Sequence, residues 1–348
     1  MHARAHISRR ALAALALVSA ATLVLSTTVG PMSIMWQDSL RVLLGLGSAG
    51  GGAHLDTIIT SIRLPRAILG MLVGAALAAS GAAIQGLFRN PLADPGLIGV
   101  SGGAALAAVS VIVLGGTTLG PLIAWMGPYS LMLAAFAGGF VTTLLVARIA
   151  TSRSGGTSTS TLLLGGIAIN IITGSGVGLF TYMADDAQLR TLTFWSMGSL
   201  GGAMWEVVLA AGSLIVLALV LLPRLARPLN ALLLGESEAR HLGIDVNRVK
   251  YRVMLLSALA VGAAVAAAGM VGFVGLIVPH LVRMTLGPDH RYLLPASALL
   301  GGLFLVVADM LARSLIAPAE LPIGLLTSMI GGPFFIALIL VQGRKYRL

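Results

Sequence analysis

Long, continuous apolar segments dominate the chain, and short polar segments separate them. A helix that crosses a bilayer needs about 20 mostly apolar residues, so the pattern predicts about ten transmembrane helices. They lie at residues 11–30, 67–88, 97–115, 129–149, 161–184, 204–222, 253–272, 273–286, 294–316 and 323–342. The segments are alanine-rich and do not alternate in short blocks, which favours an all-α polytopic membrane protein over a membrane barrel.

Composition supports this prediction. Of the 348 residues, 57% are hydrophobic and 10% are charged, whereas a typical soluble domain has about 25% charged residues. So few charged groups cannot cover the surface of a soluble protein of this length, which excludes a soluble globular enzyme. No long polar insert interrupts the pattern, so residues 1–348 are predicted to form a single transmembrane domain. Cysteine is absent, which excludes disulfides and thiolate sites.

The 22 Lys and Arg residues predict the direction of the helices, because positive charge concentrates in cytoplasmic loops. With a cytoplasmic N-terminus, 17 of them lie inside, and the outer five are Arg41, Arg63, Arg66, Arg190 and Arg313. Both termini are therefore predicted to be cytoplasmic. The net charge of +10 is then an orientation signal rather than a nucleic-acid footprint. A basic start followed by an apolar run also describes a signal peptide, but we expect a retained first helix.

A short string occurs twice. Residues 73–81 read VGAALAASG and residues 261–269 read VGAAVAAAG, with seven of nine positions identical. In the predicted topology the two helices run in opposite directions, as inverted repeats do in many transporters. Chance similarity between alanine- and glycine-rich segments is the alternative.

The usual signatures of catalysis are missing from the sequence. There is no G-x-x-x-x-G-K-[ST] phosphate loop, and the six histidines are scattered. The chain therefore has no such ATP site of its own, and a membrane enzyme is disfavoured. A secondary transporter would need acidic groups in mid-membrane. The candidates are Asp309 and Glu206, and neither is central in its predicted helix.

Two groups of charged residues stand out at the ends of predicted helices. Asp309 and Arg313 are spaced i and i+4, so they face each other on a helix. Arg63 and Arg66, in the string RLPR, are predicted to project from one side of a short turn. The structural interpretation is an internal ion pair for Asp309 and Arg313 and membrane anchoring for Arg63 and Arg66. The functional interpretation is a positive patch that receives acidic residues of a soluble partner.

The largest soluble-looking stretch, residues 223–252, is predicted to be cytoplasmic. Within it, LLLGESEARHLGID predicts a short amphipathic helix, because two glutamates begin it and Arg240 and His241 follow, as the helix dipole favours. Gly243 is expected to end it. This helix is either a solvated loop element or a docking element for a cytoplasmic partner.

Taken together, the motifs resemble the FecCD family, the permease subunits of iron-siderophore, haem and vitamin B12 ABC importers. The resemblance covers residues 63–335 and rests on the strings RLPR with GAALAASG, RNPLADPGLIGVSGG, LGESEARHLGI, VGFVGLIVPHLVR, GPDHRYLLPASALLGG, ADMLAR and ELPIGLLTSMIGGPFF. It implies a vitamin B12 permease-like fold with two inverted halves in the bacterial inner membrane. It also implies a homodimer, two copies of a separate ATPase that holds ATP and Mg, and a periplasmic binding protein. No cofactor or metal is expected on this chain.

The resemblance also implies site residues. Arg63, Arg66 and Arg313 match the arginines that such permeases offer to glutamates of the binding protein. The residues that match the ATPase-coupling helix are Glu236, Glu238, Ala239, Arg240, Leu242 and Gly243.

The cargo is suggested by the outer segment at residues 185–202. Its FW followed by GSLGG is most similar to the haem permeases of the family, while a siderophore and cobalamin remain alternatives. The predicted translocation path is Arg190, Phe194, Trp195 and Met197. Arg190 would meet a haem propionate, and the other three would cover the apolar ring. No axial haem ligand is evident, so the contacts are expected to be weak and transient.

Overall fold

The computed structural model describes residues 2–48, 52–116, 120–151 and 157–345, and within these ranges the chain is almost entirely helical. The α-helices are α1 His2–Ser26, α2 Trp36–Leu43, α3 Gly52–Thr57, α4 Leu64–Phe88, α5 Val100–Leu114, α6 Gly120–Met126, α7 Ser130–Ala150, α8 Thr159–Met183, α9 Asp186–Met197, α10 Trp205–Leu221, α11 Ala226–Leu232, α12 Glu236–His241, α13 Val246–Ala268, α14 Val274–Leu286, α15 His290–Ser314 and α16 Ile323–Lys345. Short 3₁₀ turns lie at Pro95–Ile98, Gly127–Tyr129 and Leu222–Leu225, and a π-helical turn at Ile58–Arg63 joins α3 to α4.

The described helices confirm the predicted membrane architecture. Seven helical stretches are long and apolar enough to cross a membrane, and three shorter apolar helices, α5, α14 and the apolar part of α16, complete the set. These ten stretches correspond one to one with the ten predicted segments.

Three helices form the centre of the molecule. In their most apolar windows, 83% of the α3–α4 stretch, 67% of α13 and 56% of α15 is buried, against 17–33% for the other long stretches. Small residues allow this close packing: a Cβ added at Gly74 of α4 would lie 2.1 Å from the Gly301 carbonyl oxygen of α15. The two copies of the repeated string lie on α4 and α13, which pack against each other. The exposed faces of the peripheral helices are available to lipid or to another subunit.

Two boundaries differ from the prediction. The break between the seventh and eighth membrane helices spans residues 269–273 rather than a single junction, and Gly269 and Phe273 both adopt positive φ there. Before α4, residues 52–63 are helical and lead directly into it, so Arg63 and Arg66 lie on a helix and not on a short turn. Apolar contacts of Ile59 with Ile34 and Val42 hold this extension in place.

Helix α9, within the outer segment at residues 185–202, was not predicted. A capping box begins it: the Gln188 N–H donates to Asp185 Oδ1 at 2.8 Å, and the Asp185 N–H donates to Gln188 Oε1 at 3.1 Å. Of the glycine run at residues 45–52, residues 49–51 lie outside the described residues.

Candidate functional site

A charged network joins the Ile58–Arg63 turn and the start of α4 to the end of α15 and the loop after it. We call it the outer cluster, after the side of the membrane predicted for it: Arg63, Arg66, Asp309, Arg313 and Glu320. Arg66 lies at its centre. Its guanidinium nitrogens lie 2.9 Å from Asp309 Oδ1 and 2.8 Å from Glu320 Oε1. Asp309 also pairs with Arg313, 3.1 Å from Oδ2 to Nε. The i,i+4 ion pair predicted from the sequence is therefore confirmed.

Two arginines of the outer cluster hold the end of α1. Arg63 Nη1 donates to the Thr27 carbonyl oxygen at 2.8 Å, and its other terminal nitrogen donates to the Met32 carbonyl. Arg313 Nη2 donates to the Ser26 carbonyl oxygen at 3.2 Å. The last carbonyls of a helix have no partner within the helix and attract cations, so these arginines fix α1 to α4 and α15.

The outer cluster is an ion-pair network rather than an open positive patch. Arg63 and Arg313 are only 6% and 4% exposed, and two carboxylates face Arg66. Three cations and two carboxylates leave one net positive charge. Glu320 was missed by sequence reasoning, because it lies 254 positions from its partner Arg66 and no local spacing signals that pairing.

Near the C-terminal end of α4, the predicted cytoplasmic helix is present as α12, and Gly243 follows it at φ +80°. The six residues matched to ATPase coupling divide between two faces. Glu236 and Ala239 face the body of the protein. The exposed ones are Glu238, Arg240, Leu242 and Gly243. Leu234 and Leu242 are 68% and 62% exposed and flank α12, so this end of the molecule presents an apolar surface.

Glu236 anchors α12 to two other elements. Lys250 of α13, which is fully buried, lies 2.7 Å from Glu236 Oε1 through its Nζ. The Thr159 hydroxyl, at the start of α8, donates to the same oxygen at 2.7 Å. Burial alone would raise the pKa of Glu236, but the hydrogen bonds from Lys250 and Thr159 outweigh it and hold the pKa below its ordinary value.

A second anchor ties α11 to the start of α15. The Asn230 side-chain amide donates to Asp289 Oδ1 at 2.7 Å, and Arg291 binds the same carboxylate through its guanidinium at 2.6 Å. Burial opposes ionisation of Asp289, but these donors lower its pKa to about 2. The segment predicted to be cytoplasmic is therefore fixed to the membrane domain through both α11 and α12.

A cavity of about 720 Å³ lies between α4, α9, α13, α14, α16 and the Pro95–Ile98 turn. This volume is in the range of about 300–1,000 Å³ typical of ligand pockets. Its lining residues are Leu77, Asp94, Pro95, Gly96, Ser101, Ser196, Met197, Val261, Val265, Met270, Val271, Gly272, Phe273, Gly275, Leu276, Gly324, Leu325 and Ser328.

The four residues predicted for the translocation path do not lie together in this cavity. Met197, at the end of α9, lines it. Arg190 and Phe194 are exposed on α9, and Trp195 is partly buried against the core. Sequence reasoning missed the main contributors to the lining, because α13, α14 and α16 meet there only in the folded chain.

The Pro95–Ile98 turn at the cavity is held by α8. Asn170 Nδ2 donates to the Gly96 carbonyl oxygen at 2.9 Å. Gly166, one turn earlier, packs directly on the turn, since an added Cβ would lie 1.7 Å from the Leu97 carbonyl oxygen. The Gly96 N–H in turn donates to Asp94 Oδ1 at 2.7 Å, which fixes the start of the turn.

Comparisons with known proteins agree on one class. The model of the FecCD transport family matches residues 17–341. The chain is 50% identical over 234 residues to the hemin transport system permease protein HmuU of Yersinia pestis, covering 67% of this chain and 69% of that protein. It is 41% identical over 292 residues to the cobalamin import system permease protein BtuC of Halobacterium salinarum, covering 84% and 75%. The structure is similar to an inward-facing conformation of an ABC transporter assigned to the metal-chelate type, with a TM-score of 0.80, 34% identity and coverage of 95% and 99%.

Proposed function

The chain belongs to the FecCD transport family and is the permease of an ABC importer, and we propose that the cargo it passes is haem. The observation that carries this proposal is the 50% identity to a hemin permease. The FW and GSLGG strings favour the same cargo. A ferric siderophore and cobalamin are the alternatives, the latter because a cobalamin permease is also a relative.

The cavity supports an apolar cargo. Met197, Met270 and Phe273 line it among mostly aliphatic side chains, with Asp94 and three serines as the polar members, and the apolar groups cover the face of a flat ring without binding it tightly. Weak contact of this kind suits a path that must release what it admits. Haem iron would be cargo here, and no resident cofactor is expected on this chain.

The entrance of the proposed path is α9. Arg190 and Phe194 are exposed there, and Met197 at the end of the same helix reaches the cavity. In this proposal Arg190 meets a propionate at the entrance through a charge-assisted hydrogen bond. The apolar side chains that follow then receive the ring.

The proposed assembly has two copies of this chain, two copies of a cytoplasmic ATPase that holds ATP and Mg, and a periplasmic haem-binding protein. It lies in the bacterial inner membrane with both termini cytoplasmic. The exposed apolar faces of the peripheral helices support contact with lipid and with a second copy. The charge distribution supports this orientation, since the inner side carries most of the Lys and Arg residues.

Docking of the binding protein is proposed at the outer cluster, with Arg63, Arg66 and Arg313 as its cations. The Arg66 and Glu320 side chains are 11% and 38% exposed, so an incoming carboxylate reaches Arg66 by displacing Glu320. Arg63 and Arg313 lie beneath and keep the ends of α1, α4 and α15 in position. Complementary charge of this kind chiefly sets orientation and encounter rate.

Coupling to the ATPase is proposed at α12. Its exposed face offers Glu238, Arg240 and Leu242 together with Leu234. An apolar surface with a polar rim is the usual composition of a protein interface. Glu236 and Ala239 point the other way and join this surface to the membrane domain.

The experiment compares stimulation of ATP hydrolysis by the complex of permease, ATPase and binding protein in lipid. We expect the hemin-loaded binding protein to stimulate hydrolysis well above the unloaded protein. The same protein offered a ferric siderophore or cobalamin should give no stimulation beyond the unloaded level. Stimulation by a siderophore or cobalamin without any response to hemin would assign the cargo to that alternative.

A further inference from the structure

Helix α8 connects the proposed coupling helix with the cavity. At its first residue the Thr159 hydroxyl donates to Glu236 of α12 at 2.7 Å. Farther along, Asn170 donates to the Gly96 carbonyl oxygen in the cavity-lining turn at 2.9 Å. At about 1.5 Å per residue, these two contacts are roughly 16 Å apart along one helix.

The contacts share one side of a continuous helix. Positions 159, 166 and 170 follow the i, i+7, i+11 spacing of a single helical face. At Gly166 the helix backbone touches the Leu97 carbonyl so closely that no side chain fits between them. Since α8 runs from Thr159 to Met183 without a proline, a displacement of its inner end is carried to the Pro95–Ile98 turn.

The inner end of this connection is held from a second side. Lys250 of α13 is fully buried, and its Nζ donates to the Thr157 carbonyl oxygen at 2.6 Å while it pairs with Glu236. A buried ammonium must keep its partners, because an unpaired buried charge is costly. The Glu236 carboxylate is thus bound at once to α13 and α8, and α12 cannot shift without moving them or breaking these bonds.

We propose that Glu236, Lys250 and Thr159 form a positioning relay, through which movement of α12 displaces α8 and with it the turn at the cavity. The proposal rests on the proposed coupling function, and it assigns the two faces of α12 separate tasks. The exposed face contacts the ATPase, and the inward face transmits the movement. A ligand shifts a conformation only through contacts that differ between the two states. The relay connects such contacts at α12 with the Asn170–Gly96 contact at the cavity.

The chain contains no cysteine, so a single introduced cysteine can report on the turn without background labelling. Ser101→Cys lies in the cavity lining beside the turn. Its rate of reaction with a maleimide is measured in the permease–ATPase complex, without nucleotide and after trapping with ATP and vanadate. We expect the two rates to differ about fivefold or more. Adding Thr159→Val, which removes only the hydroxyl, should reduce the difference to less than about twofold. Thr159→Ser, which keeps the hydroxyl, should restore it.

Matched controls lie on the same two helices. Ser160→Ala changes an exposed neighbour on α8, and Arg248→Gln removes an exposed ion pair with Asp245 on α13. Both should leave the nucleotide-dependent difference intact. Asn170→Leu breaks the far end of the connection and should resemble Thr159→Val. Combining the two substitutions should add nothing further, because both interrupt one connection.

The relay is overturned if Thr159→Val keeps the full nucleotide-dependent difference, or if the reporter does not respond to nucleotide in the otherwise unchanged protein. The relay is also overturned if the ATPase no longer co-purifies with Thr159→Val, because the Thr159–Glu236 contact would then be needed for ATPase binding. The coupling function is tested separately with Leu242→Asp on the exposed face. An ATPase that still co-purifies with Leu242→Asp contradicts docking at α12. The relay is judged separately, from the maleimide reactivity of the Thr159 and Asn170 variants.

Discussion

The outer cluster and the anchored helix α12 use charge in different ways. In the outer cluster the residues matched to partner binding also hold the fold together, since Arg63 and Arg313 bind the end of α1 and Arg66 is occupied by Asp309 and Glu320. At α12 these tasks are separated, because Glu236 faces inward to Lys250 while Leu242 faces solvent. In the proposed assembly, a partner that docks at the outer cluster must exchange an existing contact, whereas a partner that docks at α12 adds to a surface that is already exposed.

The largest effect is expected when the shared anion of the outer cluster is removed. Asp309→Asn leaves the guanidinium groups of Arg66 and Arg313 without their common partner. Removing one member of a buried ion pair typically costs about 3–5 kcal/mol, so the thermal unfolding midpoint in detergent should fall sharply. Asp245→Asn, which affects an exposed pair with Arg248, is the control. A midpoint for Asp309→Asn close to that of the control would mean that the cluster does not hold the outer ends together.

A smaller effect is expected at the inner anchor, and it should be asymmetric. Glu236→Gln leaves the buried Lys250 unpaired, and hydrogen bonds to charged groups contribute about 1.5–3 kcal/mol. Lys250→Met replaces the buried cation with an apolar side chain of similar length, and Glu236 keeps Thr159, so this variant should lose less. Unfolding midpoints of both variants and of their combination measure the coupling. Equal losses of stability in Glu236→Gln and Lys250→Met would contradict the view that the buried Lys250 needs the Glu236 carboxylate.

The same anchor gives a pH dependence with a definite sign. Because the folded pKa of Glu236 lies below its ordinary value of 4.5, the contribution of its ionised carboxylate to the free energy of unfolding is fully present above pH 4.5. It is lost as the pH falls through the lowered folded pKa. Stability measured against pH should therefore show an acid-side loss that Glu236→Gln reduces, while the part due to Asp289 remains. An unchanged acid-side profile in that variant would show that this carboxylate is not the titrating group.

The smallest effect is expected at Glu320, which occupies Arg66 from the more exposed side. Glu320→Gln weakens this internal contact without unfolding the cluster, since Asp309 remains. Exposed ion pairs contribute about 0.2–1 kcal/mol, so binding-protein affinity should rise roughly 1.5- to 5-fold. Titration of labelled binding protein against the permease at low salt measures this affinity. Weaker binding would instead make Glu320 part of the docking surface.

Features that depend on residues close together in the chain could be predicted from the sequence. Apolar length predicted the ten membrane segments, i,i+4 spacing predicted the Asp309–Arg313 pair, and glycine after a charged run predicted the end of α12. Each of these depends on interactions within a few residues along the chain. The extension at residues 52–63 was missed because its apolar face packs on Ile34 and Val42, which no local pattern reveals.

The remaining contacts join distant parts of the chain. Arg66 meets Asp309 from 243 positions away, and Thr159 meets Glu236 from 77 positions away. Such pairs exist only once the central helices have packed, and packing in an alanine- and glycine-rich interior is set by shape rather than by charge spacing. For the same reason the predicted path contains Met197, which lines the cavity, but none of the residues that α13, α14 and α16 contribute to its walls.

The most direct test of the account is ATP-driven uptake of hemin into vesicles that contain the permease and its ATPase, with the loaded binding protein outside. We expect hemin accumulation that requires both ATP and the binding protein. In Arg190→Ala, uptake should fall several-fold while stimulated ATP hydrolysis persists. Vesicles that accumulate a ferric siderophore or cobalamin but no hemin under the same conditions would contradict it.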